Sequence, residues 1–317
     1  MQFKPITSED IQAIIQLWNE TLNETFPMRA ALFVQNTFED PNWLPEGSRG
    51  AWKNDELVGI VTAKRWQEGD AIPAYQSMGW IQALLVKREH RNKGIGTALL
   101  RHAEAALVRA GATDLYIGRD PGDFFPGWPA EDEMATAWLE RLGYENEGRV
   151  FDLKRTEPGP VVEAVFPDHV EARTLTADEA DRFIAFLDRE FPGRWAYEAR
   201  KYFAAGGTGE DYMVLLDQGD IVGFARMNGG KTPIIGQNVY WAPLFAGSLG
   251  GVGPLGVAKH VRGKGYGKNI ISAAVNHVQA TGVKYQVIDW TGHEGLYEKW
   301  GFTPYKYYAL YGKRVRP

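Results

Sequence analysis

The sequence predicts an α/β protein made of two tandem domains, each a mixed twisted sheet flanked by helices. Two observations support this fold class. The stretch RNKGIGTA (91–98) returns as RGKGYGKN (262–269), 171 positions further along the chain. Both stretches follow an apolar strand pattern and precede an apolar helical stripe. The chain therefore repeats a whole strand–turn–helix unit and not only a short motif.

Each copy opens with a signal for the start of a helix. Thr7 in ITSEDIQAIIQLW precedes Asp10 by three residues, and Thr176 in LTADEADRFIAFL precedes Glu179 by the same spacing. A threonine followed three residues later by an acid is typical of a helix N-cap, and the Thr/Glu pair matches the capping box best. Polar turns then lead into apolar strands, at DELVGIVTA in the first copy and GDIVGFARM in the second.

The glycine turns stand between predicted strands and helices. The strands WIQALLV (80–86) and GPLGV (253–257) come before the turns. After the second turn, apolar residues recur at helical spacing, at positions 270, 271, 274, 275 and 278. Gly111 and Gly282 are well placed to end the two helices, because glycine tolerates the left-handed conformation of a C-cap.

Further along, the two copies differ in length. Gly143 of LERLGYENEGRVFDL matches Gly301 of YEKWGFTPYKYYAL at an offset of 158, so the first copy carries 13 additional residues. They fall within RDPGDFFPGWPAEDEM, which is rich in proline and glycine and is predicted to be a loop. The predicted domains are residues 1–157 and 171–317, with a proline-rich linker over 158–170.

Composition narrows the class of partner. A length of 317 residues suits two domains of about 150 residues each. The formal net charge of −5 does not favour nucleic acid as a partner, and no apolar run approaches the ~20 residues of a membrane span. The absence of cysteine excludes thiolate chemistry, and no metal site is predicted. With no signal-peptide pattern at the N-terminus, we expect a cytoplasmic protein; the oligomeric state is not indicated.

The glycine turns are predicted to bind an anion such as a pyrophosphate. A helix N-terminus presents backbone N–H groups without internal partners, and glycine lets an anion approach them closely. Arginine and lysine beside the glycines add positive charge. The predicted cofactor contacts are Val86, Arg91, Lys93, Gly94, Gly96 and Thr97 in the first copy, and Val257, Arg262, Gly263, Lys264, Gly265, Gly267 and Lys268 in the second.

These residues resemble the GCN5-related N-acetyltransferase (GNAT) superfamily. Its [Q/R]-x-x-G-x-[G/A] signature matches Arg91, Gly94 and Gly96, and matches again at 262–267. LYEKWGF (296–302) is similar to the short fourth helix of that family. The resemblance implies two tandem GNAT-like domains that bind acetyl-CoA, and direct acetyl transfer from this cofactor to the amine of a small molecule.

The resemblance also implies roles for residues of the second copy. Tyr297 matches the tyrosine that protonates the leaving thiolate, and Asp289, at the end of the strand YQVIDW, is a candidate to act on the acceptor. His293 and Glu294 on the next turn are alternatives. The carbonyl oxygen would meet backbone N–H groups of the fourth strand, around 255–257. Candidate acceptor contacts are Arg194, Trp195 and Trp290.

The first copy departs from the family pattern. The position that matches Tyr297 holds Leu139, which carries no proton to donate. We therefore expect a catalytic C-terminal domain and a structural or regulatory N-terminal domain. The opposite arrangement stays open, with Asp120 or Asp123 acting in the first copy. A non-catalytic sensor or regulatory module that binds acyl-CoA is the alternative for the whole chain.

Overall fold

The computed structural model describes residues 1–130, 133–229 and 232–316. The chain divides into two compact units. Unit 1 comprises Met1–Val150 and Tyr307–Pro317, and unit 2 comprises Phe151–Lys306. Both contain a mixed sheet with helices, so the predicted α/β class is confirmed.

The helices and strands of the first copy are β1 (Gln2–Pro5), α1 (Ile11–Leu22), α2 (Ala30–Phe33), β2 (Arg49–Lys53), β3 (Glu56–Arg65), β4 (Met78–Val86), α3 (Ile95–Arg109), β5 (Asp114–Ile117), β6 (Trp128–Pro129), α4 (Glu133–Arg141) and β7 (Glu145–Thr156). Those of the second copy are β8 (Val170–Thr174), α5 (Ala180–Glu190), α6 (Arg194–Ala204), β9 (Tyr212–Asp217), β10 (Asp220–Asn228), β11 (Leu249–Val257), α7 (Tyr266–Ala280), β12 (Tyr285–Thr291) and β13 (Thr303–Arg314). Single 3-10 turns occur between several of these elements.

The sheet of unit 1 has the strand order β1-β2-β3-β4-β5-β13, and the short strand β6 also pairs with β13. Neighbouring strands are antiparallel except β4 and β5, which run parallel from the pair Met78–Asp114 to the pair Ile81–Ile117. Strand β4 continues to Val86 without this partner. The pairing of β4 with β5 therefore ends about halfway along β4.

Unit 2 repeats this arrangement in the order β8-β9-β10-β11-β12-β7. Strands β11 and β12 are parallel, and their pairing ends at Gly251 and Val287. Strand β11 continues to Val257. Both units thus have one parallel pair that opens in the middle of the sheet.

The last strand of each unit comes from the other copy of the sequence repeat. Residues Gly312–Arg314 of β13 pair with β5 in unit 1. Residues Phe151–Thr156 of β7 pair with β12 in unit 2. A division at 157 would place 307–317 with the second copy, whereas the compact unit places them with the first.

Each glycine turn leads into a helix that covers the sheet of its own unit. Helix α3 buries Leu99, Leu100, Ala103 and Leu107, and α7 buries Ile270, Ile271, Ala274 and Val278. The predicted apolar stripe is therefore the buried face. The predicted caps also form, because Thr7 with Asp10 and Thr176 with Glu179 make reciprocal capping boxes.

Candidate functional site

The two glycine turns have the same backbone conformation. Gly94 and Gly265 are the N-caps of α3 and α7, with φ of 80° and 85°. Only glycine adopts this left-handed conformation readily, which explains the residue type at both positions. A Cβ added to either residue would meet no atom within 4 Å. The turns are thus open on their outer side.

Backbone N–H groups are available at both turns. Within the described part of the chain, the amides of Tyr266 and Gly267 donate to no acceptor, and the same holds for Ile95 and Gly96. These amides start helices of 15 residues, whose N-terminal ends carry partial positive charge. The donors and the open space fit a pyrophosphate group.

The side chains around the turns also correspond. Arg91 Nε donates to the carbonyl of Val86 at 3.0 Å, and Arg262 Nε donates to the carbonyl of Val257 at 3.4 Å. Each arginine therefore ties the turn to the end of its strand. Lys264 and Lys268 are exposed and add charge at the second turn. At the first turn, Thr97 Oγ1 accepts a hydrogen bond from Trp138 Nε1 at 3.2 Å.

Unit 2 contains a cavity of about 350 Å³ beside the opening between β11 and β12. It brings together all five residues that the sequence predicted for catalysis and acceptor binding, namely Arg194, Trp195, Asp289, Trp290 and Tyr297. Leu255, from the part of β11 that has no β12 partner, lies in the same wall. Backbone amides of this unpaired strand edge can therefore face a bound carbonyl group.

Asp289 lies at the end of β12 in an environment that favours its neutral form. Burial raises the pKa of Asp289 to about 7, and the negative charge of Asp152 adds to the rise. Asn238 Nδ2 donates a hydrogen bond of 3.0 Å to Asp289 Oδ1 and fixes the carboxyl group. Asn238 is 1% exposed, so this hydrogen bond is held within the protein. A carboxyl group with a pKa near neutrality suits proton transfer at physiological pH.

Tyr297 lies on the short 3-10 turn Glu294–Trp300 and is buried. Burial raises the pKa of Tyr297, and a hydrogen bond with Thr291 partly offsets that rise. The phenol is therefore protonated at neutral pH and available as a proton donor. His293, an alternative from the sequence, is exposed and does not line the cavity. The side chain of Glu294, the other alternative, lies outside the described residues.

Arg194 and Trp290 form one wall of the cavity. The guanidinium carbon of Arg194 lies 4.6 Å from the centre of the Trp290 ring. Arg194 Nε donates to Glu198 Oε1 at 2.6 Å, one helical turn further along α6. Trp195 packs edge-on or tilted against the rings of Phe191 and Phe224 and is partly buried.

Sequence reasoning missed three residues of the site. Glu198 and Gln237 line the cavity, and Asn238 holds Asp289. Glu198 follows Arg194 at the i,i+4 spacing of a helical ion pair, and this spacing was a usable signal. Gln237 and Asn238 lie in a loop turn between β10 and β11, and no local pattern connects them to a strand 50 residues later.

The corresponding place in unit 1 is built differently. At the offset of 171, Asp289 corresponds to Gly118, where an added Cβ would lie 2.3 Å from the carbonyl oxygen of Phe125. The inserted loop therefore fills the space of that side chain. Leu139, at the place of Tyr297, is fully buried in the core of unit 1. Neither Asp289 nor Tyr297 therefore has a counterpart among these residues of unit 1.

The inserted loop of unit 1 is packed and not open. Phe124 lies 5.2 Å from Trp18 of α1 between ring centres, and Phe125 stacks on the same ring at 5.8 Å. Asp120, a catalytic alternative from the sequence, is fully buried and pairs with Lys64 at 2.8 Å. Asp123, the other alternative, is 2% exposed. The final part of the predicted loop includes residues 131–132, which lie outside the described residues.

Lys64 is the centre of a buried polar cluster in unit 1. Its Nζ atom also lies 3.0 Å from Asp40 and donates to the carbonyl of Pro121 at 2.8 Å. Burial alone would lower the pKa of Lys64, but the charges of Asp120 and Asp40 raise it above the ordinary value. The lysine is therefore charged, and it anchors the inserted loop to β3.

Family models match both halves of the chain. A model described as "Acetyltransferase (GNAT) family" matches residues 11–124, and one described as "Acetyltransferase (GNAT) domain" matches residues 208–304. The chain is a tandem GNAT acetyltransferase. It is an enzyme of the acetyl-transferring class, in a family that uses acetyl-CoA, and the predicted tandem GNAT fold is confirmed.

Relatives and solved structures agree with this family. Mycothiol acetyltransferase of Frankia casuarinae is 25% identical over 255 residues, which cover 75% of this chain and 67% of the relative. A solved structure described as a GCN5-related glucosamine N-acetyltransferase region in a fungal multi-domain β-N-acetylglucosaminidase has a TM-score of 0.85 at 21% identity. The match covers 98% of this chain but only 38% of the longer fungal chain. A tandem GNAT protein from the clavulanic acid biosynthesis pathway has a TM-score of 0.68 at 15% identity, covering 100% and 99% of the two chains.

The described residues of the GNAT enzyme show neither a metal site nor a membrane-spanning helix. They contain no group of three or more histidine, aspartate or glutamate side chains arranged to hold a metal ion. None of the helices in the same part of the chain has the length and apolar character needed to cross a bilayer.

Proposed function

We propose that unit 2 transfers an acetyl group from acetyl-CoA to the primary amine of a small molecule. The observation that carries the proposal is that Asp289 and Tyr297 line one cavity beside the unpaired edge of β11. The same unit contains an open glycine turn with free amides at the start of α7. Unit 2 thus combines a place for the cofactor, a base and an acid.

The cofactor would be held by the turn before α7. The N–H groups of Tyr266 and Gly267 would bind the pyrophosphate, with Arg262 and Lys264 adding positive charge. When bound, acetyl-CoA supplies the thioester that the amine attacks. The amides of the β11 edge around Leu255 would stabilise the negative charge that develops on the carbonyl oxygen.

Asp289 acts as the general base. An alkylammonium has a pKa of about 10 and is not nucleophilic until it loses a proton. With a pKa of about 7, Asp289 is partly ionised at neutral pH and can accept that proton. Asn238 keeps Oδ1 fixed, so the carboxylate stays oriented as it gains and loses a proton.

Tyr297 acts as the general acid. Its hydroxyl is protonated at neutral pH, and the residue lines the cavity. It would donate a proton to the departing thiolate sulfur. Forming the amide removes two protons from the ammonium group. Asp289 would take the first and release it to solvent, and the second would replace the proton that Tyr297 gives to the sulfur, so the whole reaction releases one proton.

Unit 1 would hold the cofactor without catalysing transfer. Its glycine turn matches that of unit 2 in backbone conformation, in free amides and in the Arg91 contact. Gly118 and Leu139 replace the base and the acid. We therefore propose the alternative function, a non-catalytic sensor that binds acyl-CoA, for unit 1 alone.

The acceptor is proposed to be a small molecule. The cavity of about 350 Å³ suits a compact ligand. The names of two matched proteins, mycothiol acetyltransferase and a glucosamine N-acetyltransferase region, also refer to small-molecule substrates. These names support the class of acceptor proposed for this chain.

Thiol release from acetyl-CoA in the presence of a panel of amines tests the proposal. We expect turnover with at least one small amine, and Tyr297→Phe should lower the turnover rate roughly 10²-fold, the scale usual for acid–base residues. Tyr305→Phe is the matched control, because Tyr305 belongs to the same unit and does not line the cavity. Unchanged turnover in Tyr297→Phe would remove the proposed acid.

A further inference from the structure

The polar wall of the unit 2 cavity, which consists of Arg194, Glu198 and Gln237, has a specific hydrogen-bonding pattern. Glu198 Oε1 accepts from Arg194 Nε at 2.6 Å and from Gln237 Nε2 at 3.3 Å. Among the described residues, Glu198 Oε2 accepts no hydrogen bond. Because Glu198 lines the cavity and its side chain is 13% exposed, this oxygen is available to a ligand.

The polar wall carries no net charge. The guanidinium of Arg194 and the carboxylate of Glu198 cancel, and the amide of Gln237 is neutral. A ligand carboxylate or phosphate here would face Glu198, and a second ammonium group would face Arg194. Uncharged hydroxyl groups avoid both repulsions, because a hydroxyl donates to a carboxylate and accepts from a guanidinium.

The positive charge of the reacting amine has a separate partner in the cavity. Asp289 is the carboxyl group at the end of β12, and it is the site for the reacting amine in the proposed function. Trp195 adds a partly exposed aromatic surface to the same cavity, which suits contact with the apolar C–H face of a saturated ring. The cavity therefore combines an amine site, a hydroxyl-binding wall and an apolar surface.

We propose that the acceptor is a primary amine on an uncharged hydroxylated ring, an amino sugar, and that Arg194, Glu198 and Gln237 recognise its hydroxyl groups. This inference rests on the proposed function of unit 2. Arg194 is then not a site for a substrate carboxylate or phosphate, because Glu198 already pairs with that arginine.

The acceptor panel that tests the inference varies one property at a time. Glucosamine has the uncharged hydroxylated ring, cyclohexylamine lacks the hydroxyl groups, glucosamine 6-phosphate adds a negative charge, and putrescine adds a second ammonium. Thiol release from acetyl-CoA measures kcat/KM for each. We expect glucosamine to exceed each of the other three roughly 10-fold or more.

Two variants change the charge of the wall in opposite directions. Glu198→Gln leaves a positive wall, so kcat/KM for glucosamine should fall roughly 10-fold and the preference over glucosamine 6-phosphate should narrow or reverse. Gln237→Glu makes the wall negative and should shift preference toward putrescine. Glu163→Gln is the matched control, since Glu163 is exposed and does not line the cavity. It should change none of these ratios.

The outcomes separate the two proposals. If cyclohexylamine or putrescine matches glucosamine, or if neither wall variant changes the ratios, the acceptor inference is overturned while the proposed acetyl transfer stands. If no amine in the panel or in a wider set releases thiol, the proposed function fails and the acceptor inference fails with it.

Discussion

Asp289 shows how the surroundings of one residue change its pKa. It ends β12 beside the unpaired edge of β11, with Asn238 on one oxygen and Asp152 nearby. Burial and the charge of Asp152 raise its pKa to about 7. A carboxyl group in water is fully ionised at that pH and is a weaker base.

The pH dependence of turnover tests this role. Asp289 is a base only when ionised, so kcat/KM should rise with pH through about 7. Among the described residues, the ionisable groups that face Asp289 or line the same cavity are Arg194, Glu198, Asp152 and Tyr297. Asp289→Asn should remove this rise and lower the rate roughly 10²-fold or more.

Asp152→Asn provides an internal check on the cause of the shift. It removes the second contributor to the raised pKa and keeps an oxygen for the Trp290 amide, which donates to Asp152 at 3.0 Å. The rise in kcat/KM should therefore move to lower pH. A pH profile of wild type without a rise near 7 would count against Asp289 as the base.

At the residue scale, the sequence predicted the members of the site better than their partners. Tyr297, Asp289 and Arg194 were found from motif and position, and all three line the cavity. Their partners were not predicted: Glu198 pairs with Arg194 and neutralises its charge, and Asn238 donates a hydrogen bond to Asp289. Contacts of this kind depend on tertiary packing, which local spacing does not reveal.

At the scale of elements, the helices after the glycine turns and their caps were predictable, since helical spacing and capping are local properties. The position of β13 was not. The segment 307–317 belongs to the second copy by sequence repeat, yet it completes unit 1. Strand pairing is non-local, so a repeat in the sequence predicts a strand but not its neighbour.

A truncation tests the assignment of β13. Tyr308, Ala309 and Tyr311 are buried against unit 1, with 0%, 7% and 1% of their surface exposed. Ending the chain after Lys306 removes these side chains and the pairing with β5, which should cost unit 1 several kcal/mol at about 1.5–3 kcal/mol for each large buried side chain.

Hydrogen exchange reports which unit loses stability. The amides of β5 should lose protection in the truncated chain, while those of β10 in unit 2 should keep it. A chain ending at Val315 is the control and should behave as the full chain. Loss of protection in β10 with β5 unaffected would show that β13 completes the other unit.

At the scale of the whole molecule, two copies of one fold have diverged in chemistry while keeping the same cofactor turn. Unit 2 has a cavity lined by Asp289, Tyr297 and the polar wall. In unit 1, the inserted loop and the Lys64 cluster occupy the corresponding region, and Gly118 and Leu139 stand at the positions of Asp289 and Tyr297. The sequence predicted this asymmetry from Leu139, but the burial of the inserted loop required the folded structure.

A matched pair of glycine substitutions tests most directly whether acetyl transfer takes place in unit 2. Gly267 and Gly96 are the second residues of their helices, and an added Cβ would meet no atom closer than 4.0 Å and 3.7 Å respectively. Both positions therefore have room for a Cβ, and the branched side chain of valine would occupy the space proposed for the pyrophosphate. In the thiol-release assay, Gly267→Val should lower kcat/KM for acetyl-CoA 10²-fold or more, and Gly96→Val should leave it within about 2-fold. Loss of turnover in Gly96→Val with full activity in Gly267→Val would contradict the account.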